Sequence, residues 1–334
     1  MTSKLWQEMN VEEKEEYNLK ADAVVNGTLE ITPAVSAALT DTAPEIEVPS
    51  ISSSAMMVEL SISQWLGKKK DRKASKKVTD DINAETGVAN VHKKLLGGCA
   101  ELEKVHDLTG NIRNEHYRLT MPWLDTGVRL LPTKAYFDYH KLMTEREQTW
   151  LGAVSSFLAA YDWEISQAEA RLGDLFNRNE YPTAAQLSGK FSFSTNYIPM
   201  PEGGDFRLDI GTEGNTQLAD HYQTFYVDRI ENSYKEVWER LHKVLSRMSE
   251  RLDYTGKEDK KTFRDSLVEN VLEITPLLDT FNITGSSQMS EMQHKLEETM
   301  HGITPEALRD DDHLRRETKR SVDDIIKSLP SLDV

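Results

Sequence analysis

From Lys134 to Asn177 the chain has no proline, and its apolar residues return at steps of three and four: Tyr136, Tyr139, Met143, Trp150, Val154, Phe157, Tyr161, Ile165, Ala168 and Leu172. That spacing is the period of one helix face, so the stretch predicts a single long helix with a buried stripe. At 1.5 Å per residue such a helix would reach about 60 Å, beyond an ordinary globular helix and normal for a coiled-coil arm. A second stripe runs through Tyr226, Ile230, Tyr234, Val237, Leu241, Val244, Met248 and Leu252. Tyrosine at several seam positions points to looser packing than a leucine zipper.

The two stripes are separated by residues of a different character. Pro182 stops the first helix, because it restricts the residue before it and lacks an N–H donor. Lys190 to Ile198 alternates, with Phe191, Phe193 and Tyr197 on one side, which is strand-like. Pro199 to Gly204 reads as a turn, and Asp205 to Ile210 alternates again through Phe206, Leu208 and Ile210. The simplest assembly is mainly α: a long antiparallel, coiled-coil-like helical hairpin with a small β-hairpin, 189–210, at its tip and further helices alongside. Phe191, Phe193, Tyr197, Phe206 and Arg207 would then form the tip, either a contact surface or a structural cap.

Outside this stretch the chain divides by composition. Residues 1–55 combine a short charged helical pattern with a segment rich in Thr, Ala, Pro, Ser and acids. Such a segment buries too little apolar surface to offset its ordering entropy, so it reads as a tail or linker ordered by a partner. Residues 56–260 make the hairpin domain, and 261–334 a C-terminal helical segment. Val58, Leu60 and Ile62 alternate within 56–64 and predict a strand. Val88 to Leu119 carries a helix pattern interrupted at Gly97-Gly98, and Met121, Trp123, Leu130 and Leu131 make the following connection apolar enough to be buried. Shorter helix patterns cover 260–281, 289–300 and 305–329, the last opened by Thr304 as N-cap with Pro305 at the first helical position.

Charge narrows function. With 40 Lys and Arg against 56 Asp and Glu, a formal charge of −16 argues against a general nucleic-acid coat. One segment departs from that average: Trp65 is followed by Lys68, Lys69, Lys70, Arg72, Lys73, Lys76 and Lys77 with a single acid between them. It is either a contact for nucleic acid or an acidic partner, with Trp65 stacking on a base, or a solvated run that balances the chain's own acids. A lone cysteine, Cys99, excludes an internal disulfide framework and suits a reducing cytoplasm. No apolar run is long enough to span a bilayer and no signal core follows the N-terminus, so a cytoplasmic location without membrane contact is expected.

No catalytic signature is present: no P-loop, dinucleotide fingerprint, nucleophile elbow, paired zinc-ligand motif or Cys-x-x-Cys. Glu-x-x-His occurs at Glu103/His106, Glu239/His242, Glu291/His294 and Glu298/His301. Two such pairs could hold a di-metal centre in a bundle, yet each lies beside its helix's apolar stripe rather than on it, as surface pairs do. The expectation is therefore no enzyme, no cofactor and no metal.

Several short motifs carry a resemblance. Thr120 to Pro132 (TMPWLDTGVRLLP), the aromatic stretch from Tyr136, Leu172 to Phe176 with Tyr181-Pro182, and Pro199-Met-Pro followed by Asp205-Phe-Arg207 resemble an uncharacterised family of bacteriophage and prophage proteins. The similarity covers about residues 56–260. It implies a non-enzymatic, phage-encoded interaction protein in the host cytoplasm, partnering a MoxR-type AAA+ ATPase akin to a cobalt-chelatase subunit and encoded near a von Willebrand A-type protein. The alternatives are an accessory protein of DNA transactions acting through residues 68–77 and a self-assembling homo-oligomer built on the arms and tip.

Overall fold

The computed structural model describes residues 53–85, 87–200, 211–254 and 263–330. The chain divides into two units, Met1–Val48 and Pro49–Val334, and all described residues belong to the second. Most of the expected N-terminal tail, the second strand of the expected tip hairpin, and Phe206 and Arg207 lie outside the described residues.

The fold is mainly α with a small sheet. In chain order the elements are β1 (Ala55–Ser63), β2 (Lys68–Asp71), α1 (Arg72–Asp81), β3 (Val91–Lys94), α2 (Ala100–Leu119), β4 (Met121–Pro122), β5 (Arg129–Pro132), α3 (Tyr136–Leu172), α4 (Ala184–Ser188), β6 (Ser192–Ile198), α5 (Gly211–Leu252), α6 (Ser266–Phe281), α7 (Ser287–Met300), α8 (Pro305–Asp310) and α9 (Asp312–Ser328). No described helix is long and apolar enough to cross a membrane.

Both long stripes form helices, but they do not close on each other as a hairpin. The stripe of α3 packs chiefly on α2, while α5 packs on α6 and α9. A stripe specifies only that one face leaves water, and nearer apolar faces of α2, α6 and α9 satisfy each arm. The expected β insertion is likewise not a tip. β6 is the edge of a four-stranded antiparallel sheet in the order β4-β5-β1-β6, and it pairs along the length of β1, Val58 opposite Tyr197 and Ile62 opposite Phe193. The alternation expected at 56–64 therefore finds its partner about 130 residues away in sequence.

One face of this sheet lies on α2 and α3. Val58, Ile62, Leu102, Val105, Ile112, Trp150, Phe157 and Tyr161 make the centre of that core. In the connection 120–132, Met121, Trp123, Leu130 and Leu131 are buried as expected while the turn at 125–127 is exposed, and the segment forms β4 and β5 rather than a loop. Trp150 is fully buried and donates through Nε1 to Thr109 Oγ1 at 2.8 Å, which gives its only polar atom a partner. A second, helical core gathers Leu241, Leu245 and Met248 of α5 with Val268 and Val271 of α6, Met289 and Leu296 of α7, and Val322 of α9. The two cores join where Ser233 Oγ donates to Pro122 O and Arg129 meets Glu236 at 3.4 Å.

Local signals account for most termini. Thr183 and Gln186 form a reciprocal capping box at α4, and Ser286 caps α7. Pro276 lies within α6 without ending it; Thr275 Oγ1 donates to Val271 O at 2.7 Å one turn earlier. The run Asp310-Asp-Asp-His313 is a helix junction: Asp311 accepts from the backbone N–H of His313 and Leu314 and starts α9. Those two bonds hold its carboxyl below the usual range.

Candidate nucleic-acid interface

Residues 68–94 build a separate β-α-β module from very little apolar material. β2 and β3 pair antiparallel, with Lys68 opposite Lys94, Lys69 opposite Lys93, Lys70 opposite His92 and Asp71 opposite Val91. Asp71 closes the ribbon and opens the helix, its carboxylate accepting from Ala74 N at 2.9 Å. That bond, with help from Lys93, keeps the Asp71 carboxyl ionised below its ordinary pKa. Ser75 faces inward, donates to Asp71 O and accepts from Val91 N at 3.0 Å, so one hydroxyl ties α1 to both strands.

The register decides what each cation does. Side chains alternate across a ribbon, so Lys68, Lys70, His92 and Lys94 share one face, and all four are exposed. Lys93, on the other face, is the anchor: its ammonium sits 2.7 Å from Glu180 and 3.6 Å from Asp71 and donates to Leu175 O at 2.6 Å. On α1, Arg72, Lys73, Lys76 and Lys77 occupy positions i, i+1, i+4 and i+5 and so share one exposed face. Among the described residues no carboxylate lies within ion-pair distance of Lys68, Lys69, Lys70, Arg72, Lys73, Lys76, Lys77 or Lys94. Segment 68–94 holds nine Lys and Arg against four acids, whereas the whole chain is net acidic.

This arrangement has two intrinsic costs. Like charges directly opposite across a strand pair are destabilising, and Lys68 faces Lys94. Arg72 and Lys73 stand in the first turn of α1 and Asp80 and Asp81 in its last, the reverse of what the helix dipole favours. Each effect is worth only some tenths of a kcal/mol to ~1 kcal/mol in water. Both change sign when an anion approaches the ribbon and the helix start.

Trp65 does not belong to the interface expected of it. Its ring stacks on Phe157 at 6.2 Å and meets Tyr161 edge-on at 6.0 Å, and its carbonyl lies 3.0 Å from His106 Nε2. The chain turns away at Gly67, whose φ of +62° favours glycine and where a Cβ would press on Leu102 at 3.0 Å. The tryptophan is thus half-buried, its ring packed on the core beneath the basic module.

The aromatic residues expected at a tip are also placed differently. Phe191 and Phe193 pack on Trp150 at 6.1 and 5.9 Å, and Tyr197 meets Tyr136 and Tyr139 edge-on. All three are half-buried on the inner face of the sheet, and burial raises the Tyr197 phenol to about 12. They are core residues rather than an exposed patch, because pairing with β1 turns this side of β6 toward α3.

The Glu-x-x-His pairs do not converge. His106 faces the Trp65 carbonyl, His242 contacts Ser246, and His294 turns to Glu297 instead of Glu291. Among the described residues one group could offer three metal-ligand atoms, Cys99, Glu101 and Glu164, all within 4.8 Å of one another. Glu164 is held there by Arg171 at 3.3 Å, and burial pushes the Cys99 thiol up to about 11. The cluster reads as a protonated thiol beside a carboxylate paired with Arg171. Sequence inspection missed Lys94 and His92, which lie outside the basic run; only strand register brings them beside it.

No protein-family model matches the chain. No curated protein matches it, and no solved structure does.

Proposed function

We propose that this chain binds the phosphate backbone of nucleic acid through the β2-α1-β3 module and serves as an accessory factor of nucleic-acid transactions. What carries the reading is the set of eight exposed cations with no described carboxylate partner, gathered on one module of an acidic protein and arranged against local electrostatic preference. Solvated charge runs are normally interspersed with acids or paired with them. Here the neighbouring acids Asp71 and Glu180 are committed to Lys93. Because Trp65 is engaged in the core, contact is to phosphates and carries no sequence preference. The partnership with a MoxR-type AAA+ ATPase remains the expectation of the family resemblance.

The test is fluorescence anisotropy of the full chain with a labelled duplex of about 20 base pairs across salt concentration. Eight engaged cations set a limiting slope of log K on log salt of about −7, at roughly −0.9 per phosphate neutralised. Changing Lys68, Lys70, Lys73 and Lys76 to Gln should reduce the magnitude of the slope by about 3 to 4. Binding that ignores salt, or that survives these substitutions unchanged, refutes the reading.

A further inference from the structure

α2, α5 and α6 leave an open cleft of about 310 Å³ between them, beside the junction of the two cores. Val237 of α5 and Ile274 and Phe281 of α6 are buried and make its floor. Val244, Leu277 and the exposed Tyr117 of α2 make its sides. This volume stands at the lower end of small-molecule sites, and a place between helices, with an apolar lining and a few polar groups, is usual for them.

The charged groups around this apolar surface do not balance. Glu236 lies 2.9 Å from Arg240 and 3.4 Å from Arg129, so two guanidinium groups share one carboxylate. Both arginines also donate to the closing carbonyls of α2, Arg240 to Arg118 O and Thr120 O and Arg129 to Thr120 O, which offsets the negative end of that helix. Arg118 and Glu273, exposed and on different helices, meet at 3.6 Å. Among the described residues no carboxylate lies within ion-pair distance of Lys243. Three cations and two carboxylates thus line the cleft of a protein whose net charge is −16, and the unmatched cation is Lys243.

We propose that this cleft binds a small aromatic monocarboxylate, its ring on Phe281, Val237 and Leu277 and its carboxylate at Lys243 and Arg118. Size, apolar floor and surplus charge each limit the class. A nucleoside triphosphate brings several negative charges to one surplus cation, and a neutral apolar molecule makes no use of it. A ring gives up less rotamer freedom than an alkyl chain of the same area, and Phe281 and Tyr117 offer it aromatic contact. Arg118 is accessible to the ligand because its bond to Glu273 is an exposed pair, worth little in water, so one carboxylate replaces another at small cost. None of these cations belongs to residues 68–94, so the site does not depend on the phosphate-binding reading.

Equilibrium dialysis of the full chain against 1-naphthoate tests this. A ligand of about thirteen non-hydrogen atoms at ordinary efficiency should bind at one site per chain with a Kd on the order of 100 µM. The uncharged analogue 1-naphthamide should bind about tenfold more weakly, because it lacks the charge-assisted bonds. Lys243→Glu with Arg118→Glu, both at exposed positions, turns attraction into repulsion and should weaken naphthoate about tenfold or more. Leu277→Trp fills the cleft from a half-buried position and should abolish binding of both ligands, with thermal unfolding by circular dichroism as the check that the fold is kept. The variant with Lys68, Lys70, Lys73 and Lys76 changed to Gln should bind naphthoate as the wild type does. No saturable binding up to about 5 mM naphthoate overturns the proposal. So does equal affinity for naphthamide and naphthoate, which makes the cleft purely apolar. Naphthoate binding that ignores the charge-reversed variant, or is lost in the four-glutamine variant, overturns it as well, since the carboxylate is then held elsewhere.

Discussion

Lowering the pH should destabilise this fold through His116. The imidazole lies on α2, 3% exposed, with Nδ1 2.7 Å from the Tyr139 hydroxyl of α3. Arg129 of β5 donates to Thr120 on the same turn, so a guanidinium shares the site. Burial first, and Arg129 second, push the His116 pKa from 6.5 down to about 4. The folded state therefore holds a neutral ring, with Nδ1 hydrogen-bonded to the phenol, while the unfolded chain takes up a proton near 6.5. Its contribution is complete above the unfolded pKa and is lost as pH falls toward 4. Between pH 7 and 4.5 the loss is on the order of 2 kcal/mol, one to two orders of magnitude in the folding equilibrium. Urea titrations followed by tryptophan fluorescence should show it, with His116→Gln as the control that cannot titrate. The variant is less stable at neutral pH, but its stability should fall by on the order of 2 kcal/mol less than that of wild type over the interval. Parallel pH curves for the two proteins would refute the assignment of a buried neutral histidine.

Two further outcomes follow from buried groups. Trp150→Ala removes the largest fully buried side chain and the Thr109 hydrogen bond, and should cost about 3–5 kcal/mol in denaturant titration; a loss under 1 kcal/mol would mean that the core is loosely packed there. Cys99, fully buried with its thiol at about 11, should resist iodoacetamide at pH 7.5 in the native protein and react fully in urea, whereas native labelling at a free thiol's rate would contradict its burial.

Much of the secondary structure was legible because it is local. Periods of 3.6 and 2 revealed α3, α5, β1 and β6, and Thr304-Pro305 marked the start of α8. The basic run announced an exposed charged segment, since lysines at that density cannot be buried. Elements that rest on distant partners were not legible. Lys68–Asp71 carries no strand pattern; it is extended because Val91–Lys94 lies beside it.

By itself, then, the sequence determined which faces leave water, where helices can begin, and where positive charge collects. The tertiary structure alone decided what those faces meet: α3 on α2 rather than on α5, Trp65 on Phe157 and Tyr161, β6 on β1, and Lys94 opposite Lys68. The physical reason is that hydrophobic burial is non-directional, so an apolar stripe states a need without naming a partner. Partners are chosen by the geometry that buries all the stripes at once while satisfying the backbone hydrogen bonds, a condition that no local window contains.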